Sequence, residues 1–262
     1  MTKIVKRIQQ PILNIVLKHD LRGWVLPIAV FLLWWLSTHA HWVNSNIVPA
    51  PIKVYEATAQ AWHSGDLWND LRSSLVRDFI GFGLGSFFGI TIGTLLGLST
   101  WLDRLFSPTL HGVKQLALFA WVPLMSMWLG HGELPKELFI ALAAFYPVLF
   151  NTFDGVKNVK KNLYEVTQVF HLTTWQRLTR LILPSASPFI FAGLHIALIY
   201  SWLATIGAEY FFIAAPGLAM PLIDGRDQFD MGEVLYGIFM IGLLGALFNV
   251  VATKIEHRVS HQ

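Results

Sequence analysis

Residues 79–99 read FIGFGLGSFFGITIGTLLGLS. The run carries no charged side chain and approaches the ~20 residues that an α-helix needs to cross a bilayer. Gly81, Gly85, Gly89, Gly93 and Gly97 recur in it every fourth residue. Small residues at that spacing let a second backbone approach closely in lipid. The stretch predicts a membrane helix whose glycine row packs on a neighbour in the same chain. A helix that slides on that neighbour during a working cycle is the sharper alternative.

Five more apolar stretches lie on either side, near residues 24–43, 114–130, 138–153, 189–206 and 234–253. Each approaches spanning length. Over all 262 residues, 54% are hydrophobic and 13% charged, against roughly 25% charged in a soluble domain. The expectation is an all-α, polytopic membrane protein with six transmembrane helices. The 11 Trp and 19 Phe suit lipid contact and interfacial anchoring. With no cysteine in the chain, disulfides, thiolate metal sites and cysteine catalysis are excluded.

The basic N-terminal segment leads into a long, bulky apolar run without a small-residue cleavage site, so it reads as a retained leader. Six spans then place both termini on one side. On that topology 14 of the lysines and arginines fall inside and 5 outside, namely Lys53, Arg72, Arg77, Lys136 and Arg226. This positive-inside bias puts both termini in the cytoplasm. Asp224, Asp227, Asp230 and Glu233 cluster in one outer loop. Between the first two spans, Pro49 and Pro51 predict an extended elbow. Two short interfacial helices, near 52–62 and 67–75, follow it. Neither internal repeats nor low-complexity segments stand out.

A polar, basic island separates two spans: DGVKNVKKNLYEVTQVFHLTTWQRLTRLILP, residues 154–184. Leu163, Val166, Val169 and Phe170 predict a helix over 158–170. Thr173 with Gln176 predicts a capping box that opens a second one. Trp175, Leu178, Leu181 and Ile182 line one face of it, and Pro184 stops or bends the run. An apolar face on the cytoplasmic side needs cover, from the bundle's own base or from another protein.

No phosphate-cradling G-x-x-x-x-G-K-[ST] loop occurs. The ten histidines show no His-Glu-x-x-His and no ligand spacing; His39 and His41 read as interfacial. Neither metal, cofactor nor catalytic residue is expected, and nucleic acid is no expected partner. Any energy the chain uses would come from outside it, from a separate ATPase or from an ion gradient.

The island resembles the loop that marks permease subunits of ABC importers: Glu-Ala-Ala, three residues, Gly, nine residues, Ile-x-Leu-Pro. Here Glu165, Val166 and Thr167, then His171, then Leu181, Ile182, Leu183 and Pro184 take those positions at the same spacing. The surroundings are similar to that family's sulfonate, taurine, nitrate and bicarbonate branch. They include Pro123-Leu124 with Trp128-Leu129-Gly130, Pro147, Asn151-Thr152-Phe153-Asp154-Gly155, Ala208-Glu209, and Gly225-Arg226 with Phe229. The likeness runs from about residue 44 to 251.

The resemblance implies a type I importer permease fold in the bacterial inner membrane. Two permease copies, by analogy a homodimer, would enclose one pathway, with an extracytoplasmic solute-binding protein outside. Two ATPase subunits inside would bind the ATP and magnesium. Glu165, Val166, Thr167, His171, Leu181, Leu183 and Pro184 would form the coupling element against the ATPase. Val166 and Thr167 replace two alanines and His171 a glycine, which puts the turn between the two helices in question. The solute would be a small anion, aliphatic sulfonate or taurine first. Nitrate, bicarbonate or a thiamine-precursor pyrimidine are the alternatives, and a gradient-driven secondary transporter is the alternative class.

The chain divides into a leader (1–23), a first span with its outer segment (24–66), a permease core (67–253) holding the loop 154–184, and a tail (254–262). Polar groups inside spans are costly in lipid and tend to face a cavity. Candidates for the pathway or gate are Lys114, Tyr146, Asn151, His195, Tyr200, Ser201, Thr205 and Glu209. Lys114 reads as an interfacial anchor or an anion-attracting group, and His195 as a packing or pathway residue. Glu209 reads as a gate hydrogen bond or a partner contact, but an acid is a poor ligand for an anion. Arg226, among acids in the last outer loop, is either spent on a local ion pair or docks a binding protein.

Overall fold

The computed structural model describes residues 22–45, 47–130, 132–159, 172–212 and 216–260. Regular structure among them is helical: α1 (Arg22–His39), α2 (Pro51–Ser64), α3 (Asp66–Leu98), α4 (Thr100–Lys114), a 3-10 turn (Leu118–Trp121) and α5 (Val122–Leu129). α6 (Glu133–Lys157), α7 (Thr174–Phe212), α8 (Met220–Asp227) and α9 (Met231–Ser260) complete the order.

The glycine row of α3 lies against α6. A Cβ built on Gly81 would stand 2.5 Å from Ile140 Cβ, on Gly85 2.8 Å from that of Ala144, and on Gly89 2.8 Å from that of Val148. On Gly93 it would stand 2.9 Å from Thr152 Cβ, and on Gly97 2.7 Å from Val156 Cβ. Both rows advance by four residues, so a ridge of α6 fills the groove that the glycines leave on α3. Ile140, Ala144, Val148 and Val156 are enclosed as a result.

Contacts that ascend together mean that α3 and α6 run parallel. The chain between Leu98 and Glu133 must therefore return the full length of the bundle. α4 and α5, bent by 94° across the break, together make that return. The expected single helix over 114–130 is thus a broken crossing. α4 ends at Lys114, residues 115–117 are non-helical, and the helix resumes beside Pro123, whose missing N–H suits a first turn. Phe119 pins the resumed part. It sits 5.7 Å from the Phe139 ring and fills the space over Gly207.

α7 packs antiparallel on α6, with Gly193 against Asn151 and Gly155 against Phe189. α9 in turn lies along α7, where Trp202 Nε1 donates to the Ile241 carbonyl at 3.2 Å. α1 touches the rest through Trp34, which stacks on Phe239 at 6.2 Å and donates to the Pro49 carbonyl at 3.0 Å. Its other large side chains are mostly exposed, as a lipid-facing helix requires.

The six expected crossings resolve into four continuous helices long and apolar enough to span a membrane, one bent pair, and one shorter apolar helix at Gly23–His39. One expectation fails locally, and of another only one alternative is excluded. Residues 67–75 are no separate interfacial helix. Gly65, at φ +85°, turns the chain, and α3 then runs unbroken from Asp66 through the charged Arg77 and Asp78. Nor does Pro184 stop the second island helix. The capping box forms, with Thr173 Oγ1 accepting from Gln176 N at 3.3 Å and Gln176 Oε1 accepting from Thr173 N at 3.0 Å. Residues Leu178–Ile182 then widen into a π turn in which Leu183 N–H reaches back to the Leu178 carbonyl. That local change of register accommodates Pro184, which has no N–H to give, and the helix continues to Phe212.

Candidate functional site

At the Asp66 end of the bundle, α3, α6 and α7 bring charged groups together. Arg77 is 5% exposed. Its guanidinium clasps both carboxylate oxygens of Glu133, with Nη2 at 2.9 Å from Oε1. Nη1 donates to Glu209 Oε1 at 2.8 Å and to the Pro216 carbonyl at 2.7 Å. Lys136, fully buried, donates to Glu133 at 3.1 Å.

Glu209 is also fully enclosed and accepts from Ser74 Oγ at 2.6 Å and Ala219 N at 3.1 Å. Gly217 lies so close that a Cβ there would meet the Glu209 carboxyl carbon at 2.5 Å. Asp70 accepts from Gly217 N at 3.0 Å, and Ser74 from Leu218 N at 2.9 Å. The cluster thus ties three spans to the segment before α8. Both carboxylate oxygens of Glu209 accept from donors, so Glu209 offers no free oxygen to a solute.

Arg77 and Lys136, counted as outer-loop charges on sequence, are instead inside the helical bundle, each with an acid beside it. Both were legible in one way: Arg77 stands four residues before Gly81, and Lys136 four before Ile140. They extend the two rows that form the α3–α6 seam. Beside them Asp78, fully buried, accepts from Thr205 Oγ1 at 3.1 Å. Thr205 and Ser201 are fully buried too, and their hydroxyls serve α3–α7 and intrahelical bonds.

The other candidates are dispersed. Lys114 is exposed at the break between α4 and the 3-10 turn, its Nζ 4.7 Å from the centre of the Phe150 ring. Tyr146 stacks on the same Phe150 at 6.5 Å. Asn151 Nδ2 donates to the Pro147 carbonyl at 2.8 Å. His195 Nε2 lies 3.3 Å from Asn249 Oδ1, between α7 and α9. Tyr200 is exposed on α7. Arg226 pairs with Asp227 at 2.9 Å and donates to Tyr210 Oη at 2.6 Å. The hydrogen bond that the guanidinium donates to Asp227 holds its pKa above the ordinary arginine value.

A cavity of about 930 Å³ opens beside the cluster between α2, α8 and α9. Glu56, Asp70, Asp224, Asp230 and Glu233 line it with Lys53. Its charge repels anions.

At the opposite end, Val156, Ile182, Ala186 and Ile190 form a small buried cluster on which Leu178 and Leu183 pack. Leu181 is half-buried, Pro184 exposed, and Trp175 is 71% exposed at the tip of α7. The predicted apolar face is therefore partly covered by the bundle's own base. Glu165, Val166, Thr167 and His171, with most of the predicted helix over 158–170, lie outside the described residues.

Residues 85–261 match the family model described as "Binding-protein-dependent transport system inner membrane component". The chain is 30% identical over 239 residues to the putative aliphatic sulfonates transport permease protein SsuC of Bacillus subtilis, covering 91% of this chain and 86% of that one. It is 30% identical over 185 residues to the bicarbonate transport system permease protein CmpB of Synechococcus elongatus, covering 71% and 66%. A chain in the inward-facing MetNI methionine ABC transporter shares the fold, with a TM-score of 0.62 at 16% identity over 72% of this chain and 94% of that one.

Proposed function

The chain belongs to the family of inner membrane components of binding-protein-dependent transport systems, and from that premise we propose that it is the permease subunit of an ATP-driven importer of small anions. Aliphatic sulfonate or taurine is the favoured solute, with nitrate, bicarbonate or a thiamine-precursor pyrimidine as alternatives. The likeness to a sulfonate permease over 91% of the chain carries this reading. In it, the Lys157 end of the bundle faces the cytoplasm with both termini, and the acidic Asp66 end faces a solute-binding protein. Two copies of the chain flank one pathway. ATP and magnesium belong to the separate ATPase.

α7 supports a mechanical role. It runs 39 residues from Thr174 to Phe212, about 58 Å at 1.5 Å per residue. One end is the exposed Trp175 tip and the other holds Glu209 in the charged cluster. A displacement imposed on the tip by an ATPase is carried along a hydrogen-bonded rod to the opposite end. Alternating access follows if closure of two ATPases draws two such tips together. Glu165, Val166, Thr167 and His171 would seat in the ATPase groove, with Leu181, Leu183 and Pro184 completing the coupling element and Leu183 packing it on the bundle's base.

Reconstitution with the partner ATPase and binding protein tests this. Uptake of ethanesulfonate, taurine, nitrate or bicarbonate should require ATP inside the coupled system and ignore ionophores. Uptake that persists without ATP but collapses with an ionophore would identify a gradient-driven carrier instead. Glu165→Arg should lose the ATPase on purification while still inserting in the membrane; undiminished co-purification would remove Glu165 from the coupling contact.

A further inference from the structure

His111 and Lys114 lie three residues apart, on one face of the last turn of α4. Both address the same ring. His111 stacks on Phe150 at 4.4 Å and 30°, and Lys114 Nζ stands 4.7 Å from its centre. Tyr146, one turn away on α6, lies 6.5 Å from Phe150 and nearly parallel to it, at 15°.

The depth of this group follows from α6. Lys157, at the end of that helix, pairs with Asp103 near the start of α4 at 2.8 Å. Phe150 lies back from Lys157 by about 10 Å at 1.5 Å per residue. Lys114 therefore holds its ammonium inside the layer that the spans define, not at its edge. Of the other cations on the described spans, Arg77, Lys136 and Lys157 each contact a carboxylate, while Arg72, Arg104, Arg177, Arg180 and Lys254 lie toward helix ends. Lys114 has an aromatic ring and, among the described residues, no ion pair.

Backbone geometry points the same way. Gln115, Leu116 and Ala117 are non-helical and exposed. Irregular backbone at membrane depth is tolerated where protein buries it or where it lines water, since lipid offers no hydrogen bonds. An exposed break with a cation at its lip thus belongs on an aqueous route.

We propose that Lys114, with His111 beside it on the Phe150 ring, is the anion-recognising station of the transport pathway, where the ammonium meets the negatively charged head of the solute. The assignment rests on the reading of the chain as an anion importer. A lysine suits a transient contact. Its charge is compact, its stem flexible and its three donors rotate. With no carboxylate to leave and only a ring to return to, it exchanges partners without breaking an ion pair.

Two experiments decide the matter. In proteoliposomes holding the complete importer, Lys114→Gln should lower ATP-driven uptake of ethanesulfonate, nitrate or bicarbonate by about tenfold or more. Lys114→Arg should restore most of it, with the ATPase and binding protein bound in both variants. Wild-type rates in Lys114→Gln remove the station and leave anion import standing; absence of uptake of all three anions by the wild type removes both. Because the chain has no cysteine, His111→Cys introduces one thiol. The anionic reagent 2-sulfonatoethyl methanethiosulfonate should modify it in the assembled transporter, and about tenfold more slowly once Lys114→Gln is added. A thiol at that position that stays unreactive, while an Arg226→Cys control reacts, faces lipid and overturns the proposal.

Discussion

Arg77 and Lys114 are both cations on spanning segments, and they keep opposite company. Arg77 donates to two carboxylates and a carbonyl and is shut away from solvent. Lys114 leans on a ring and is exposed. The first is consumed by the fold. Its five N–H groups form a rigid fork that joins α3, α6, α7 and the segment before α8. The second contributes little to holding helices together. A charge in a membrane protein has to be satisfied by protein or reached by water; Arg77 meets the first condition, and the proposed station at Lys114 requires the second.

That contrast can be broken most forcefully at Glu209. Glu209→Leu leaves Arg77, Ser74 and the Ala219 N–H short of an acceptor, and removing one partner of a buried pair costs about 3–5 kcal/mol. Thermal unfolding in detergent, followed by tryptophan fluorescence, should show a large drop in midpoint. An unchanged midpoint would mean that the cluster does not tie the spans. Next comes the seam between α3 and α6. Gly89→Leu drives a side chain into Val148 and the Phe145 carbonyl, 2.8 and 3.0 Å from a built Cβ, and overpacking costs about 1–3 kcal/mol. Reduced yield of folded protein is the expected result, and normal yield would show that α3 and α6 separate easily.

Lys114→Gln supplies the other half of the comparison. Stability should stay within about 0.5 kcal/mol of wild type, as for surface positions outside structural networks. A drop comparable to that of Glu209→Leu would make Lys114 a second structural cation. The smallest effect is expected at Arg226→Gln, whose pair with Asp227 lies in solvent; the midpoint should not move.

The sequence made the membrane class and the glycine row plain because both depend on local composition and spacing. It hid the charged cluster for a physical reason. Arg77 and Asp78 read as the end of a loop, since charges do not belong in a span. They belong there once Glu133, Glu209, Ser201 and Thr205 meet them from distant parts of the chain. The break at residues 115–117 was likewise masked, because Leu116, Ala117 and Leu118 keep the apolar run continuous while the backbone turns. Thr173 was legible because a capping box is local. Among the candidates, Lys114 was identified by charge alone, but its lack of an acid partner became visible only with α6 in place.

The π turn at Leu178–Ile182 carries a consequence for how such a subunit fits its motor. A π turn holds one residue more than the α-helical path, and each residue of an α-helix advances the azimuth by about 100°. The bearing of Trp175 around the rod is therefore set by a residue count in this turn, separately from the packing of Leu183–Phe212 inside the bundle. Loss or gain of a single residue here would swing the tip like the hand of a dial, and would also have to re-seat Leu178 and Ile182 on the Val156 cluster. A permease of this build has a vernier between its membrane body and whatever grips its tip, and the seat of Ile182 in the buried base holds the setting.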